Sequence, residues 1–183
     1  WTSTLGRIYA AAARADFIAA ASALVGVLVF DTLPGLFIGI ALSLIALLYR
    51  SSRPNVALLG RLPSGEWVDV ERNAEARRDD GALVLRVESG LYFANTDHVR
   101  DVVRELVAVD TRLVVLDAET MPSIDVSGAS MLVMLKRDLA RDGVDLALAK
   151  SVGQVRDVIG AAEPADDFPH AYPTIDEALA SLG

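Results

Sequence analysis

Two neighbouring stretches, Leu113-Val114-Val115-Leu116-Asp117 and Asp125-Val126-Ser127-Gly128, decide the fold that we expect for this chain. The first is a short apolar run, which is typical of a strand buried on both faces. The second precedes a segment with apolar side chains at helical spacing, namely Met131, Leu132, Leu135 and Leu139. A serine at such a helix N-terminus lies where backbone N–H groups and the helix dipole attract negative charge. Asp125, Ser127 and Gly128 are therefore the candidate site, either as a phospho-acceptor loop or as a loop that binds an anion or nucleotide.

Strands and helices alternate around this centre. The patterns predict strands at residues 67–70, 82–87, 112–117 and 144–149, and helices at residues 95–109, 127–142, 151–159 and 175–182. This alternation indicates an α/β fold with a mostly parallel central sheet and covering helices. Thr174 is expected to cap the last helix. Residues 168–173 are expected to form a loop, and the prolines and glycines of residues 51–66 to form a connector.

The N-terminal region is apolar enough to lie in lipid. The chain is 52% hydrophobic with a mean hydropathy of +0.37. Residues 17–30 and 33–49 contain no charged side chain, and a turn with Pro34 and Gly35 separates them. We therefore expect residues 1–50 to form a two-helix transmembrane hairpin in the lipid bilayer, and residues 67–183 to form a separate domain.

The distribution of charge predicts the orientation of this hairpin. Arg7 and Arg14 precede it, Arg50 and Arg53 follow it, and its turn carries only Asp31. The positive-inside rule then places both ends, and the domain after them, in the cytoplasm. The net charge of -8 belongs to the residues after the hairpin, which form no basic stripe, so nucleic-acid binding is excluded. The absence of cysteine excludes disulfides and cysteine-rich zinc sites.

In their order along the chain, these features resemble the C-terminal end of SulP-type anion transporters, in which the last two transmembrane helices precede a cytoplasmic STAS domain. The resembling stretches are residues 35–40, 49–54, 59–63, 91–95, 115–117, 124–128, 146–148 and 176–178. The chain looks most like an actinobacterial or mycobacterial sulfate-transporter homologue. The resemblance implies an anion carrier of the bacterial plasma membrane, with sulfate as the first candidate substrate and bicarbonate or dicarboxylates as alternatives.

The resemblance also implies partners. Substrate would bind in the rest of the transporter membrane domain, with which this hairpin packs, and STAS regions of the family often form a homodimer. In STAS proteins that act as anti-sigma factor antagonists, a partner kinase phosphorylates the hydroxyl that Ser127 matches. The alternative function is therefore a membrane-tethered signalling module that switches partners. The simpler alternative for the loop is that Ser127 caps the helix and Asp125 holds the loop.

Other kinds of site are weakly supported. No phosphate-binding glycine motif is present, so GTP or ATP would bind only through helix amides, with Lys150 or Arg137 as nearby cations. No serine-hydrolase elbow surrounds Ser127, and His98 and His170 do not make a catalytic site with it. We predict no enzyme, no metal site and no resident cofactor.

An aromatic pair and an arginine pair also have two possible roles each. Tyr92 and Phe93 are interpreted as core residues that close the sheet, with a docking surface as the alternative. Arg77 and Arg78, next to two aspartates, are interpreted as a polar connector rather than a lipid-binding patch.

Overall fold

A computed structural model describes residues 21, 24–25, 32–151, 153–161 and 167–182 of the 183-residue chain. The chain divides into two compact units, residues 1–51 and residues 52–183. The first unit contains the helix α1, Thr32–Ser51. The second unit contains six strands and four helices within the described residues.

Helix α1 has the length and composition of a membrane span. Its 20 residues correspond to about 30 Å of helix, which matches the thickness of a bilayer core. Residues Leu33–Ser51 are the one stretch within the described residues that is long and apolar enough to cross a membrane. Its large apolar side chains are exposed within the chain. The first helix of the predicted hairpin falls mostly outside the described residues, so the hairpin itself stays a prediction.

The second unit is built on one mixed sheet. Its strands are β1 Val56–Arg61, β2 Trp67–Asp69, β3 Ala82–Val87, β4 Leu113–Asp117, β5 Asp145–Ala149 and β6 His170–Tyr172. The strand order is β2-β1-β3-β4-β5-β6. Strands β3, β4, β5 and β6 run parallel to one another, whereas β1 pairs antiparallel with both β2 and β3. The predicted α/β class is confirmed, and the antiparallel edge makes the sheet mixed.

Helices cover both faces of this sheet. They are α2 Thr96–Leu106, α3 Val126–Arg141, α4 Gly153–Ala161 and α5 Ile175–Ala180. Strand β4 is buried at every position, and its residues alternate between two cores. Val114 and Leu116 join the core that includes side chains of α2, α3 and α4, while Leu113 and Val115 join the core of α5. The four apolar residues of this strand are therefore buried in the middle of a two-sided sheet, as the sequence predicted.

Two strands lie where the sequence analysis expected irregular chain. Val56–Arg61 forms β1 inside the sheet, although residues 51–66 were expected to be a connector. Gly60 in this strand is required by close packing, because a Cβ there would lie 2.7 Å from Val70 Cγ1. His170–Tyr172 forms the edge strand β6, although residues 168–173 were expected to be a loop.

Candidate functional site

The candidate loop lies beyond the carboxyl end of β4 and is fixed to the segment before α2. The Leu91 amide donates to the Ser123 carbonyl over 2.9 Å, and the Asp125 amide donates to the Leu91 carbonyl over 3.0 Å. Leu91 and Ile124 thereby form a short parallel bridge, and both side chains are buried. The loop is consequently held on the side of the sheet where α/β proteins carry their sites.

Asp125 is the residue that caps α3. Its Oδ1 accepts a hydrogen bond of 2.8 Å from the Gly128 amide, and its Oδ2 accepts one of 3.0 Å from the Phe93 amide. Its backbone is extended, with φ -94° and ψ 178°, as is typical of an N-cap residue. One carboxylate therefore holds both the helix start and the neighbouring segment.

Ser127 does not cap the helix, which corrects that interpretation. The helix already begins at Val126, so Ser127 is its second residue. The side chain is exposed, and its hydroxyl forms no hydrogen bond with any residue that the structure describes. An exposed hydroxyl without an internal structural role is chemically accessible to a kinase. The adjacent Asp125 carboxylate makes the same helix end less favourable for a permanently bound anion, because like charges repel.

Gly128 is required by close packing rather than by backbone conformation. A Cβ at this position would lie 2.6 Å from the Leu91 carbonyl oxygen and 2.9 Å from Ile124 Cγ1. Such distances are shorter than van der Waals contact, so any side chain would displace the loop. The glycine of the Asp-x-Ser-Gly motif thus lets α3 start directly against the Leu91 backbone.

The candidate loop and the segment bonded to it carry exposed apolar side chains. Phe93 is 70% exposed and Val126 is 82% exposed, while Tyr92 is half-buried. The expectation that Phe93 closes the core is therefore wrong, because Leu91 occupies the buried position of that segment. The exposed Phe93 and Val126 side chains are available for contact with a partner, which leaves a docking surface as the alternative for this segment.

A charge network that the sequence analysis missed joins the ends of three parallel strands. Arg86 on β3 donates to Asp117 Oδ2 on β4 from Nε over 2.8 Å and from Nη2 over 2.7 Å. The other oxygen of this fully buried carboxylate accepts the Glu119 amide over 3.0 Å. The two residues are partners in the strand register. The signal in the sequence was one arginine within the otherwise apolar strand 82–87 and one aspartate ending the next strand.

Lys150 extends this network from the end of β5. Its Nζ donates to Glu119 Oε2 over 2.7 Å, and this hydrogen bond is the main cause that lowers the pKa of Glu119. Partial burial acts in the opposite direction, and the charges of Lys150 and Arg86 lower the pKa further. The Lys150 backbone has a left-handed φ of 54°, which costs a residue with a side chain about 1–2 kcal/mol.

The other residues considered for nucleotide binding or catalysis do not come together at one site. Both cations considered for a nucleotide are held by carboxylates, Lys150 by Glu119 and Arg137 by Asp167. His98 lies in α2, and His170 on β6 packs edge-on against the Tyr172 ring at 4.6 Å. Neither histidine bonds to Ser127 within the described part of the chain. Across the same residues no group of three His, Asp or Glu side chains is suited to a metal ion.

Comparisons with known proteins agree with this fold. Residues 73–178 match the family model of the STAS domain. Among curated proteins, the chain is 27% identical over 182 residues to sulfate transporter 1.3 of Arabidopsis thaliana. That match covers 92% of this chain and 28% of the plant protein. The chain therefore spans less than a third of the length of this relative.

Solved structures show the same architecture. The murine anion transporter Solute Carrier 26 family member A9 superposes with a TM-score of 0.78 at 22% identity, covering 91% of this chain and 28% of the transporter. An anti-sigma factor antagonist from Mycobacterium paratuberculosis superposes with a TM-score of 0.51 at 18% identity, covering 70% of this chain and 94% of that protein. The chain therefore belongs to the STAS domain family, and its STAS domain is of the kind found in sulfate transporters of the SulP/SLC26 family.

Proposed function

We propose that this chain is part of a secondary anion carrier of the SulP/SLC26 family, with sulfate as the first candidate substrate. The observation that carries the proposal is the extent of the match to the plant sulfate transporter, which covers 92% of the chain. The aligned length thus exceeds the STAS domain and reaches into the apolar N-terminal region. Bicarbonate and dicarboxylates are the alternative substrates.

In this proposal the two units have different tasks. Residues 1–51 supply the end of the membrane domain and pack against the rest of it, where substrate is bound. Residues 52–183 supply a cytoplasmic control domain, and a second copy of the chain pairs with it as a homodimer. The positive-inside distribution of Arg7, Arg14, Arg50 and Arg53 supports this orientation. The setting in this proposal is the plasma membrane of a bacterium, since a composition rich in Ala, Arg, Val and Asp is typical of GC-rich coding.

The proposed control point is Ser127. Phosphorylation would add about 1.5 to 2 negative charges at pH 7. The Asp125 carboxylate lies two residues away and already occupies the helix terminus, so the added charge would be repelled locally. This repulsion would shift the loop, and a partner protein bound to Phe93 and Val126 would then be released.

A second candidate function is a membrane-tethered module that exchanges protein partners without transport. The superposition on an anti-sigma factor antagonist and the exposed apolar side chains beside Ser127 favour it. The two functions share the loop and differ in whether the complete protein moves an anion. A transport measurement therefore separates them.

The test of the carrier function is labelled sulfate uptake by the full-length protein in cells that lack their own sulfate importer. We expect saturable uptake above that of cells with the empty vector. Uptake equal to that of the empty vector, with the protein present in the membrane fraction, would reject sulfate as substrate. Competition of any remaining anion flux by bicarbonate and by succinate would then identify the substrate class.

The test of the control point uses Ser127→Glu with Ser130→Glu as its matched control. Both serines are exposed on the first turns of α3, so both variants add one charge to the same helix. We expect uptake to fall in Ser127→Glu and to stay at the wild-type level in Ser130→Glu, at equal membrane expression. Equal uptake by all three proteins would leave Ser127 without a regulatory role.

A further inference from the structure

A groove outside the Ser127 loop is lined by three arginines. It has a volume of about 510 Å³, and its walls are formed by Arg61, Leu62, Pro63, Arg77, Arg78 and Asp79. Pockets of this size hold small molecules in other proteins. The groove lies where β1 ends and the chain turns towards β2, away from every residue considered in the candidate site.

The backbone register brings two of these arginines together. Arg61 and Arg77 form an antiparallel bridge, with the Arg61 amide donating over 2.7 Å and the Arg77 amide over 3.0 Å. Directly opposed residues in such a pair present their side chains on one face. Gly60 permits this approach, because a Cβ on it would lie 3.0 Å from the Arg77 carbonyl oxygen. Like charges in this arrangement repel each other, and an anion between them would relieve that repulsion.

The charges of the groove are incompletely balanced by the protein. Arg61 forms an ion pair with Asp176, in which Nη2 and Oδ2 are 3.4 Å apart. Arg77 and Arg78 form no ion pair with any residue that the structure describes. The lining includes one carboxylate, Asp79, against three guanidinium groups. The chain as a whole has a net charge of -8, so the charge of the groove is opposite in sign to that of the chain.

We propose that this groove binds a phosphate or sulfate group. Planar guanidinium forks match the oxygens of tetrahedral oxyanions and bind them with charge-assisted hydrogen bonds. Leu62 and Pro63 give the groove an apolar wall that suits the carbon part of an ester. The group is carried either by a soluble ion or ester or by an anionic lipid headgroup, and the site stands independently of the transport function proposed above.

Trp67 provides the reporter for the test. Its ring centroid lies 6.0 Å from the Arg61 guanidinium carbon, and the chain contains only one other tryptophan, Trp1. The full chain with Trp1→Phe is titrated in zwitterionic detergent micelles with phosphate, sulfate and glucose 6-phosphate, against chloride at constant ionic strength. The same protein is reconstituted in phosphatidylcholine liposomes with and without phosphatidic acid. Calorimetry on the same samples detects binding that leaves Trp67 unchanged.

We expect saturable binding either of the soluble anions in micelles or of phosphatidic acid in liposomes. Whichever of these two arms gives binding identifies the source of the phosphate or sulfate group. The double variant Arg77→Gln/Arg78→Gln should bind at least about tenfold more weakly, because two charge-assisted contacts are lost. Arg72→Gln is the matched control, since Arg72 is an exposed arginine of the same segment that pairs with Asp69 outside the groove. Absence of binding in both arms, or equal binding by the double variant and wild type, would overturn the proposal.

Discussion

Asp125 and Ser127 have different roles at the start of α3. The Asp125 carboxylate accepts two backbone amides, whereas the exposed Ser127 hydroxyl is bound to no described residue. The motif in the sequence indicated a helix start but could not say which of two capping residue types would occupy the N-cap, because the helix begins one residue earlier than expected. This assignment separates the residue that maintains the fold from the residue that is available for modification.

Asp125→Ala should destabilise the STAS unit by about 1–2 kcal/mol, since it removes the helix cap together with the Phe93 contact. Ser127→Ala should change stability by less than about 0.5 kcal/mol, as expected of an exposed side chain. Urea unfolding of the chain in detergent micelles, followed by circular dichroism, measures both values. A Ser127→Ala variant as unstable as Asp125→Ala would contradict the assignment.

Gly128→Ala should destabilise the unit by about 1–3 kcal/mol, because the new methyl group would press on the Leu91 carbonyl oxygen. Gly153→Ala is the matched control, since a Cβ at Gly153 would meet no atom within 4 Å at the start of α4. There the alanine should be neutral or should stabilise by up to about 1 kcal/mol. The same unfolding measurement decides, and equal effects of the two substitutions would refute the packing explanation.

The aromatic segment shows a limit of residue-level prediction. Leu91, Tyr92 and Phe93 form one apolar run, and its composition does not tell which of them enters the core. The bridge between Leu91 and Ile124 decides this in the structure, because it turns Leu91 inward and leaves Phe93 exposed. Long-range pairing of this kind leaves no periodic signal in a run of three residues.

Among the elements, the carboxyl ends of β3 and β4 are joined by the buried Arg86–Asp117 ion pair. Asp117→Ala should cost about 3–5 kcal/mol, because it leaves the mostly buried Arg86 guanidinium with only its longer contact of 3.4 Å to the exposed Glu119 carboxylate. The double variant Arg86→Met/Asp117→Leu should cost less than the single substitution, since no unpaired charge remains.

Arg100→Ala is the control for this ion pair. It breaks the contacts of Arg100 with the exposed carboxylates Asp97 and Asp101, and the loss should stay below about 1 kcal/mol. Chemical unfolding of the four proteins gives the comparison. A double variant that is less stable than Asp117→Ala would show that the pair stabilises the sheet beyond the penalty of an isolated charge.

The Glu119–Lys150 contact predicts a pH dependence. Because the hydrogen bond from Lys150 lowers the pKa of Glu119 in the folded state, the unfolded state binds the proton more readily. The contact therefore contributes fully above the ordinary glutamate pKa of about 4.3 and is lost as pH falls through the lowered folded value. Glu119→Gln should abolish this part of the acid destabilisation. An NMR titration of the Glu119 carboxyl that gives a pKa at or above the ordinary value would contradict the contact.

Two strands were hidden by residues that ordinarily mark loops. Pro54, Gly60, Pro63 and Gly65 predicted a connector, but Gly60 lies inside β1 because the neighbouring backbone and Val70 approach it closely. Strand β6 has only three residues and was hidden by the flanking prolines at 169 and 173. Strand β3, in contrast, has the predicted bounds because its apolar run is unambiguous.

At the scale of the whole molecule, the strand–helix alternation predicted the α/β unit, and the charge-free run predicted the apolar helix α1. The charge network and the basic groove could not be predicted. Arg86 and Asp117 are 31 residues apart in the chain, and Arg61 and Arg77 meet only through a strand that the sequence analysis read as connector. Contacts between distant residues depend on register, which local patterns do not contain.

The orientation of the molecule gives a prediction of its own. Leu33 lies at the start of α1 and Glu71 in the STAS unit, and both side chains are exposed. This chain has no cysteine. In a full-length protein whose cysteines outside this chain are replaced by serine, single Leu33→Cys and Glu71→Cys variants therefore carry one reactive thiol each. A membrane-impermeant maleimide should label position 33 in intact cells and position 71 only after permeabilisation. Labelling of both positions in intact cells, or protection of both, would contradict a helix α1 that crosses the membrane.

The most direct test of the account is labelled sulfate flux into liposomes that contain only the purified full-length protein. Purified components remove every cellular partner, so the flux reports on the carrier itself. The account predicts saturable accumulation above that of protein-free liposomes, with competition by unlabelled sulfate. Flux equal to that of protein-free liposomes for sulfate, bicarbonate and dicarboxylates alike would contradict a carrier and would favour the membrane-tethered signalling module.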